Sequence, residues 1–233
     1  MIDYNAYKHF HGKLPLVPIL LQDNEKLIVK ERMIEGKNIS TLQCDEYLQL
    51  FNSVVNQYVN YFKQCIEIKQ TTIGDILKES IDKGVPHELR SIYNSKLVEY
   101  TKIKIPNTIL HGDFTYNNLI YDGAKCYFID FEHYGEYSFF YDIFWLMQNE
   151  FVYAKNELLL NLYFGGELDV VFQLLFEAVG IKFNPEIKDV YYCVFLAEMY
   201  SKRLYNIDQK NDAFAYIQII IRRFKIGECV LNE

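Results

Sequence analysis

Reactive side chains concentrate in one stretch of this 233-residue sequence, His111-Gly112-Asp113-Phe114-Thr115-Tyr116-Asn117-Asn118, followed after a turn by Ile129-Asp130-Phe131-Glu132. Asp113 leaves the loop first, Asn118 returns five residues later, and Asp130 stands at the far end of the intervening segment. That order brings three oxygen-bearing side chains to one mouth. Carboxylate and amide oxygens are hard ligands suited to Mg²⁺, which keeps waters and substrate phosphates in its shell. Asp113 can instead accept the proton of an incoming hydroxyl. Positioning and charge neutralisation of this kind are most of what phosphoryl transfer requires.

The surrounding elements must hold that mouth open. Thr108 to Leu110 reads as a short strand feeding the loop. Leu119 to Tyr121 and Cys126 to Ile129 read as a hairpin about Asp122-Gly123, a favoured turn pair. Upstream, residues 1–12 read as the end of a helix closing at Gly12. The apolar runs Leu16 to Leu21 and Lys26 to Met33 flank a polar turn, Gln22-Asp23-Asn24-Glu25, which predicts a second hairpin. From Asp45 the period changes: Tyr47, Leu48, Phe51, Val54, Val55, Tyr58, Val59 and Phe62 recur at steps of three and four, an amphipathic helix. Further helices are predicted over 72–83, 86–102 with Pro86 in its first turn, 139–153, 156–162, 168–179, 186–206 and 212–227. The expected class is α+β with a strong helical majority.

Composition narrows the function classes. Half of the residues are hydrophobic and the net charge is only -7, which excludes a disordered chain. The acidic balance argues against a general nucleic-acid binder. Five cysteines, an odd number without a C-x-x-C pair, fit buried thiols in a reducing compartment. With no apolar run near the roughly 20 residues that span a bilayer and no basic, apolar leader, a cytoplasmic protein is expected.

The spacing of Asp113, Asn118 and Asp130 matches the protein-kinase catalytic loop and its downstream D-F-x, with Gly112 in place of the usual Arg and Glu132 in place of the usual Gly. In these two changes, and in Phe128-Ile129-Asp130-Phe131-Glu132 followed by Gly135 and Asp142-Ile143, the sequence resembles the aminoglycoside phosphotransferase and choline/ethanolamine kinase superfamily. The resemblance is strong over Leu110 to Met147. It is traceable over Gly12 to Gly36, where Leu14-Pro15-Leu16-Val17-Pro18 and Met33-Ile34-Glu35-Gly36 are similar to the strand before the hinge and the hinge itself. It implies a protein kinase-like fold, with residues 1–36 as a reduced N-terminal β-lobe and hinge and 37–233 as a large helical C-terminal lobe. It also implies ATP and Mg²⁺ as cofactors and a small-molecule hydroxyl as acceptor. By resemblance, Asp113 is the catalytic base, Asn118 and Asp130 hold the metal, and the backbone around Arg32 and Ile34 meets the nucleotide. His111 supports the loop, Glu132 braces it or reaches a metal through water, and Asp142 hydrogen-bonds back to it. Trp145, Tyr192 and Glu198, with Tyr191 and Tyr200 beside them, are the candidate acceptor lining, although aromatics on a helix face are commonly core.

The sequence departs from that family at its start. No Gly-rich hairpin precedes the hinge. Lys8 and Lys13 fall on the wrong element for the strand Lys, and Asp3 is the sole acidic candidate for the helix Glu. A truncated small lobe is therefore expected, from a late start codon, with a partner chain supplying the missing strands, or as a reduced fold. Exposed apolar hinge surface would then favour a homodimer. Three function classes follow. One is an ATP-dependent phosphotransferase acting on an amino alcohol such as choline, an aminoglycoside-like compound or a sugar. The second is a pseudokinase that binds a ligand or a partner. The third is a metal-dependent hydrolase using His111, Asp113, Asp130 and His133.

Overall fold

The computed structural model describes residues 4–23, 28–37, 39–65, 68–85, 87–204, 218–219 and 222. The predicted helix at 212–227, Pro86, the centre of the first hairpin turn and Asp3 lie essentially outside these residues.

The chain begins with α1 (Tyr4–Phe10), which ends at Gly12 with φ of 77°. An antiparallel pair follows, β1 (Ile19–Asp23) and β2 (Ile28–Glu31). These two strands are the hairpin expected from the two apolar runs. Helix α2 (Cys44–Gln64) is the long amphipathic helix, and its apolar stripe of Tyr47, Leu50, Phe51, Val54, Val55, Tyr58, Tyr61 and Phe62 is buried. Helix α3 (Ile73–Asp82) starts at a reciprocal cap: Thr72 Oγ1 accepts the Asp75 amide at 3.1 Å and Asp75 accepts the Thr72 amide at 3.4 Å.

Two strands went unrecognised in the sequence. β3 (Lys69–Thr72) and β7 (Gly135–Ser138) flank β4 (Lys104–Leu110) in an antiparallel three-stranded sheet of order β3-β4-β7. Its register pairs Leu110 with Gly135, so the loop after β4 emerges beside the turn that precedes β7. β5 (Leu119–Tyr121) and β6 (Cys126–Phe128) form the predicted hairpin. The single helix expected at 86–102 is instead three short pieces: α4 (His87–Ile92), a π turn at Tyr93–Leu97 and a 3₁₀ turn at Val98–Tyr100.

The helical lobe closes with α5 (Tyr141–Val152), α6 (Leu158–Gly165), α7 (Asp169–Ala178) and α8 (Lys188–Met199), the last running into a π turn at Tyr200–Leu204. Helix α2 packs on α7, α3 on α8, and α5 on α6. The aromatic excess of the sequence goes here. Phe139, Phe140, Phe144, Phe172, Phe176, Tyr163, Tyr191, Tyr192 and Phe195 meet in tilted, edge-on and stacked contacts with centroids 4.6–6.3 Å apart. Among the described residues no single helix is long and apolar enough to cross a membrane. The fold is α+β, with a small N-terminal β part and a large helical part, as expected.

Candidate active site

The loop after β4 is fixed from beneath by one buried carboxylate. Asp142, in the first turn of α5, accepts the His111 amide at 2.8 Å on Oδ2, the Gly112 amide at 2.9 Å on Oδ1, and the Tyr58 hydroxyl at 2.6 Å on Oδ2. Burial pushes its carboxyl above the ordinary range, and the neighbouring His111 and these hydrogen bonds pull against that rise. The His111 ring is buried and fully used. Nε2 donates to the Ile129 carbonyl at 2.8 Å, and Nδ1 accepts the Asp113 amide at 3.4 Å. The ring also packs on Phe131 at 4.5 Å and Phe114 at 5.6 Å. This histidine braces the loop, and neither nitrogen is left for a metal.

Gly112 explains why the usual Arg is absent from this position. Its φ is 78°, and an added Cβ would lie 2.2 Å from the His133 carbonyl and 2.6 Å from the Tyr137 hydroxyl. No other residue fits without moving the turn at His133 and the start of β7.

With its backbone so held, Asp113 presents a side chain that is 27% exposed. Asn118 closes the loop by donating its Nδ2 to the Asp113 carbonyl at 2.7 Å, a bond that does not use its Oδ1. The Ile129 amide then donates to the Asn118 carbonyl at 3.1 Å, so the end of the β5–β6 hairpin, and Asp130 next to it, is tied to the same loop. Asp130 is exposed and sits at φ of 62°, a left-handed conformation that costs about 1 kcal/mol or more in a non-glycine residue and clusters at functional sites. Glu132 is exposed and lies 3.5 Å from His133 Nε2. The two oxygen donors, Asn118 Oδ1 and the Asp130 carboxylate, suit Mg²⁺ that is completed by phosphate and water. Among the described residues no cluster of three or more His, Cys, Asp or Glu could hold a metal. The commitment of His111 removes the basis of the hydrolase reading.

The N-terminal segment and the hinge region lean on the hairpin. The Phe128 amide donates to the Pro15 carbonyl at 2.8 Å, and the Lys37 amide to the Tyr121 carbonyl at 2.6 Å. The amide of Arg32 is committed to the Pro18 carbonyl at 2.9 Å, so it is not the one that would meet a base. Ile34 is half-buried beside the exposed Met33.

The candidate acceptor lining divides. Tyr192 is fully buried in the helical core, its hydroxyl donating to Gln148 Oε1 at 3.1 Å. Glu198 is also buried, accepting the Ser138 amide at 3.1 Å and the Lys202 ammonium at 2.8 Å. Neither faces a cleft. They fasten β7 and α8, because a buried carboxylate must be hydrogen-bonded to be tolerated. Tyr191 and Tyr200 are buried as well, and Tyr200 donates to the Gly84 carbonyl at 2.9 Å. Trp145 alone comes near Asp113, through Arg203: Nη2 of Arg203 pairs with Asp113 Oδ1 at 3.1 Å while its guanidinium carbon lies 5.2 Å from the Trp145 ring.

Sequence reasoning missed Arg203, and it missed the cleft beside the loop. That cleft, of ≈ 880 Å³, is lined by Lys37, Tyr47, Tyr116, Asn117, Asn149 and Glu150 among others. Tyr47 donates to Glu150 Oε2 at 2.8 Å, and its ring meets that of Tyr116 edge-on at 5.3 Å. Burial raises the Glu150 carboxyl and both phenols. Tyr116 lies inside the motif itself and was the one available signal. Nothing local marks Arg203 or Glu150.

Comparison with known proteins agrees with this geometry. Residues 84–172 match the Phosphotransferase enzyme family. No curated protein matches the sequence. Among solved structures, the choline kinase LicA from Streptococcus pneumoniae is similar with a TM-score of 0.52 and 13% identity, over 96% of this chain and 79% of that one. The choline/ethanolamine kinase family protein from Mesorhizobium loti is similar with a TM-score of 0.50 and 13% identity, over 95% of this chain and 77% of that one. At that identity the likeness is one of fold. Residues 84–172, which contain the Asp113 loop, the hairpin and Asp142, are therefore similar to the phosphotransferase enzyme family, and the fold is the protein kinase-like one of the choline/ethanolamine kinase structures.

Proposed function

We propose that the chain is an ATP-dependent, Mg²⁺-requiring phosphotransferase acting on a hydroxyl of a small molecule: an amino alcohol, an aminoglycoside-like compound or a sugar. The observation that carries this reading is the loop itself. Asp113 stands part-exposed at its mouth while Asp142, His111 and Asn118 pin its backbone on three sides.

Asp113 orients the acceptor hydroxyl and takes its proton as the new oxygen–phosphorus bond forms. Asn118 Oδ1 and Asp130 are the groups that would hold Mg²⁺ on the nucleotide phosphates, and the ion supplies charge neutralisation there. Glu132, exposed beside Asp130, is placed to brace that end or reach the ion through water. His111 and Asp142 act through the backbone and touch no substrate. Residues 1–36 serve as small lobe and hinge, with nucleotide contact assigned to the backbone at Ile34 and its neighbours, and residues 37–233 as the helical lobe. The cleft between Lys37, Tyr116 and Glu150 is large enough for a small-molecule substrate.

A coupled assay for ADP release, run with Mg-ATP over a panel of hydroxyl compounds, tests this. Turnover that falls by roughly a thousandfold in Asp113→Asn is expected. No turnover on any compound, together with no thermal shift at millimolar Mg-ATP, would instead favour a non-catalytic ligand-binding module.

A further inference from the structure

The cleft beside the Asp113 loop is balanced in charge. Among the described residues its lining holds one cation, Lys37, and one carboxylate, Glu150. The two do not neutralise each other by contact. The Lys37 ammonium lies at the hairpin turn, 2.9 Å from where a Cβ on Gly123 would stand. Glu150, at the opposite wall, accepts the Tyr47 hydroxyl on Oε2 at 2.8 Å. Burial raises its carboxyl, which favours the neutral form. A cationic ligand therefore meets little net attraction here, and so does an anionic one.

The rest of the polar lining is amide. Asn149 spends Nδ2 on the Trp145 carbonyl at 2.9 Å, a bond that does not use its Oδ1. Asn156 spends Oδ1 on the Leu158 amide at 3.1 Å, a bond that does not use its Nδ2. Asn117 is exposed on the loop floor. Amides offer donors and acceptors side by side, as neighbouring sugar hydroxyls do. The rim carries Tyr153, an aromatic ring 78% exposed. Its position is built: the Tyr153 amide donates to the Asn149 carbonyl at 2.8 Å and the Asn156 amide to the Glu150 carbonyl at 3.0 Å. Lys155, between them, is held at φ of 56°, a left-handed conformation that clusters at ligand sites. A ring fixed open to water at a cleft rim is a platform on which the C–H face of a sugar can pack. At ≈ 880 Å³ the cleft also lies in the size class of drug-sized ligands, far above an amino alcohol. Its floor, Thr115 to Asn117, follows Asp113 directly in the loop, so a ligand that reaches from Asp113 to Tyr153 is extended.

We infer that the acceptor is a neutral glycoside of at least two rings, and that Tyr153 with Glu150 and the cleft asparagines selects it. This rests on the phosphotransferase reading and narrows its three acceptor classes to the sugar. One ring presents a hydroxyl to Asp113. That hydroxyl gives its proton to Asp113 as its oxygen bonds the γ-phosphorus of ATP and the bond to ADP breaks. The next ring packs on Tyr153 and shares its hydroxyls among Glu150, Asn149 and Asn156.

The experiment measures calorimetric Kd without nucleotide, and then kcat/KM with Mg-ATP, for neutral disaccharides (maltose, lactose, trehalose), the single-ring methyl glucoside, the cationic two-ring neamine, and choline. The proteins are the wild type, Tyr153→Ala and Glu150→Gln, each checked by thermal melt. At least one disaccharide is expected to bind the wild type about tenfold more tightly than methyl glucoside or choline, with neamine no tighter than that disaccharide. Tyr153→Ala, a change at an exposed ring, weakens that disaccharide about fivefold or more and leaves methyl glucoside within about twofold. Glu150→Gln keeps an acceptor oxygen and leaves the disaccharide within about threefold, whereas a cation held there would lose far more. Tightest binding by choline or neamine, abolished in Glu150→Gln, overturns the inference in favour of a cation site. Binding of no disaccharide overturns it, as does disaccharide affinity unchanged in Tyr153→Ala. Tyr153-dependent disaccharide binding without phosphoryl transfer removes the phosphotransferase reading and leaves the glycoside site standing. Transfer to choline alone, unaffected by Tyr153→Ala, removes the inference and leaves that reading standing.

Discussion

Asp142 and Arg203 both reach the loop that carries Asp113, and they do so in opposite states of completion. Asp142 is buried with three donors on its two oxygens, all from the protein. Arg203 is only part-buried, spends one nitrogen on Asp113 and leaves another buried without a partner among the described residues. A polar group satisfied within the fold contributes to stability and specifies one backbone conformation. A polar group left short contributes less, because its desolvation is not offset. The contrast separates a residue that builds the loop from one that pairs with it without fixing its backbone.

The comparison breaks most severely at Asp142. Asp142→Ala strands two backbone amides and the Tyr58 hydroxyl in the interior, and a loss of about 4 kcal/mol of unfolding free energy is expected in urea melts. Activity should fall with it as the loop relaxes. Tyr58→Phe removes one donor from the same carboxylate, and a loss of about 2 kcal/mol is expected by the same measurement. Arg203→Gln should move stability by about 1 kcal/mol or less, because the pair it breaks is partly exposed and solvent-screened. Trp145→Phe removes an unpartnered donor while keeping an aromatic ring on Tyr141, so the smallest change, within about 0.5 kcal/mol, is expected in thermal melts. A large destabilisation by Arg203→Gln would place Arg203 with Asp142 among the builders and erase the distinction.

What the sequence made legible follows the same division. The loop, the β5–β6 hairpin and Asp142 announce themselves because each is local: a fixed spacing, a turn pair, an acidic residue opening a helix. Helix α2 was readable from its apolar period, since a stripe of that width has to be buried. The strands β3 and β7 were not. Lys-Gln-Thr-Thr and Gly-Glu-Tyr-Ser are too short and polar to alternate, and they become strands by pairing with β4. The α4 region defeated the period too, since its register is broken by a π turn and a 3₁₀ turn. Tyr192 and Glu198 were placed at the acceptor because aromatic and acidic residues on a late helix suit such a role. Their burial instead reflects the packing of α8 against α3 and α5, with β7 fastened to Glu198. Arg203 left no local trace, because its meaning depends on a carboxylate far away in the chain.

The close approach at Gly112 bears on how this protein can vary. The volume that a side chain would occupy there is filled by the His133 carbonyl and the Tyr137 ring. The first belongs to the turn that leads from Asp130 into β7, the second to β7 itself. Residue 112 and that turn are therefore two halves of one lock. A relative that regains a side chain at the first must open the second, shifting the Asp130 end of the site as it does so. Substitutions at these positions should be inherited together, although they lie on different strands of the chain.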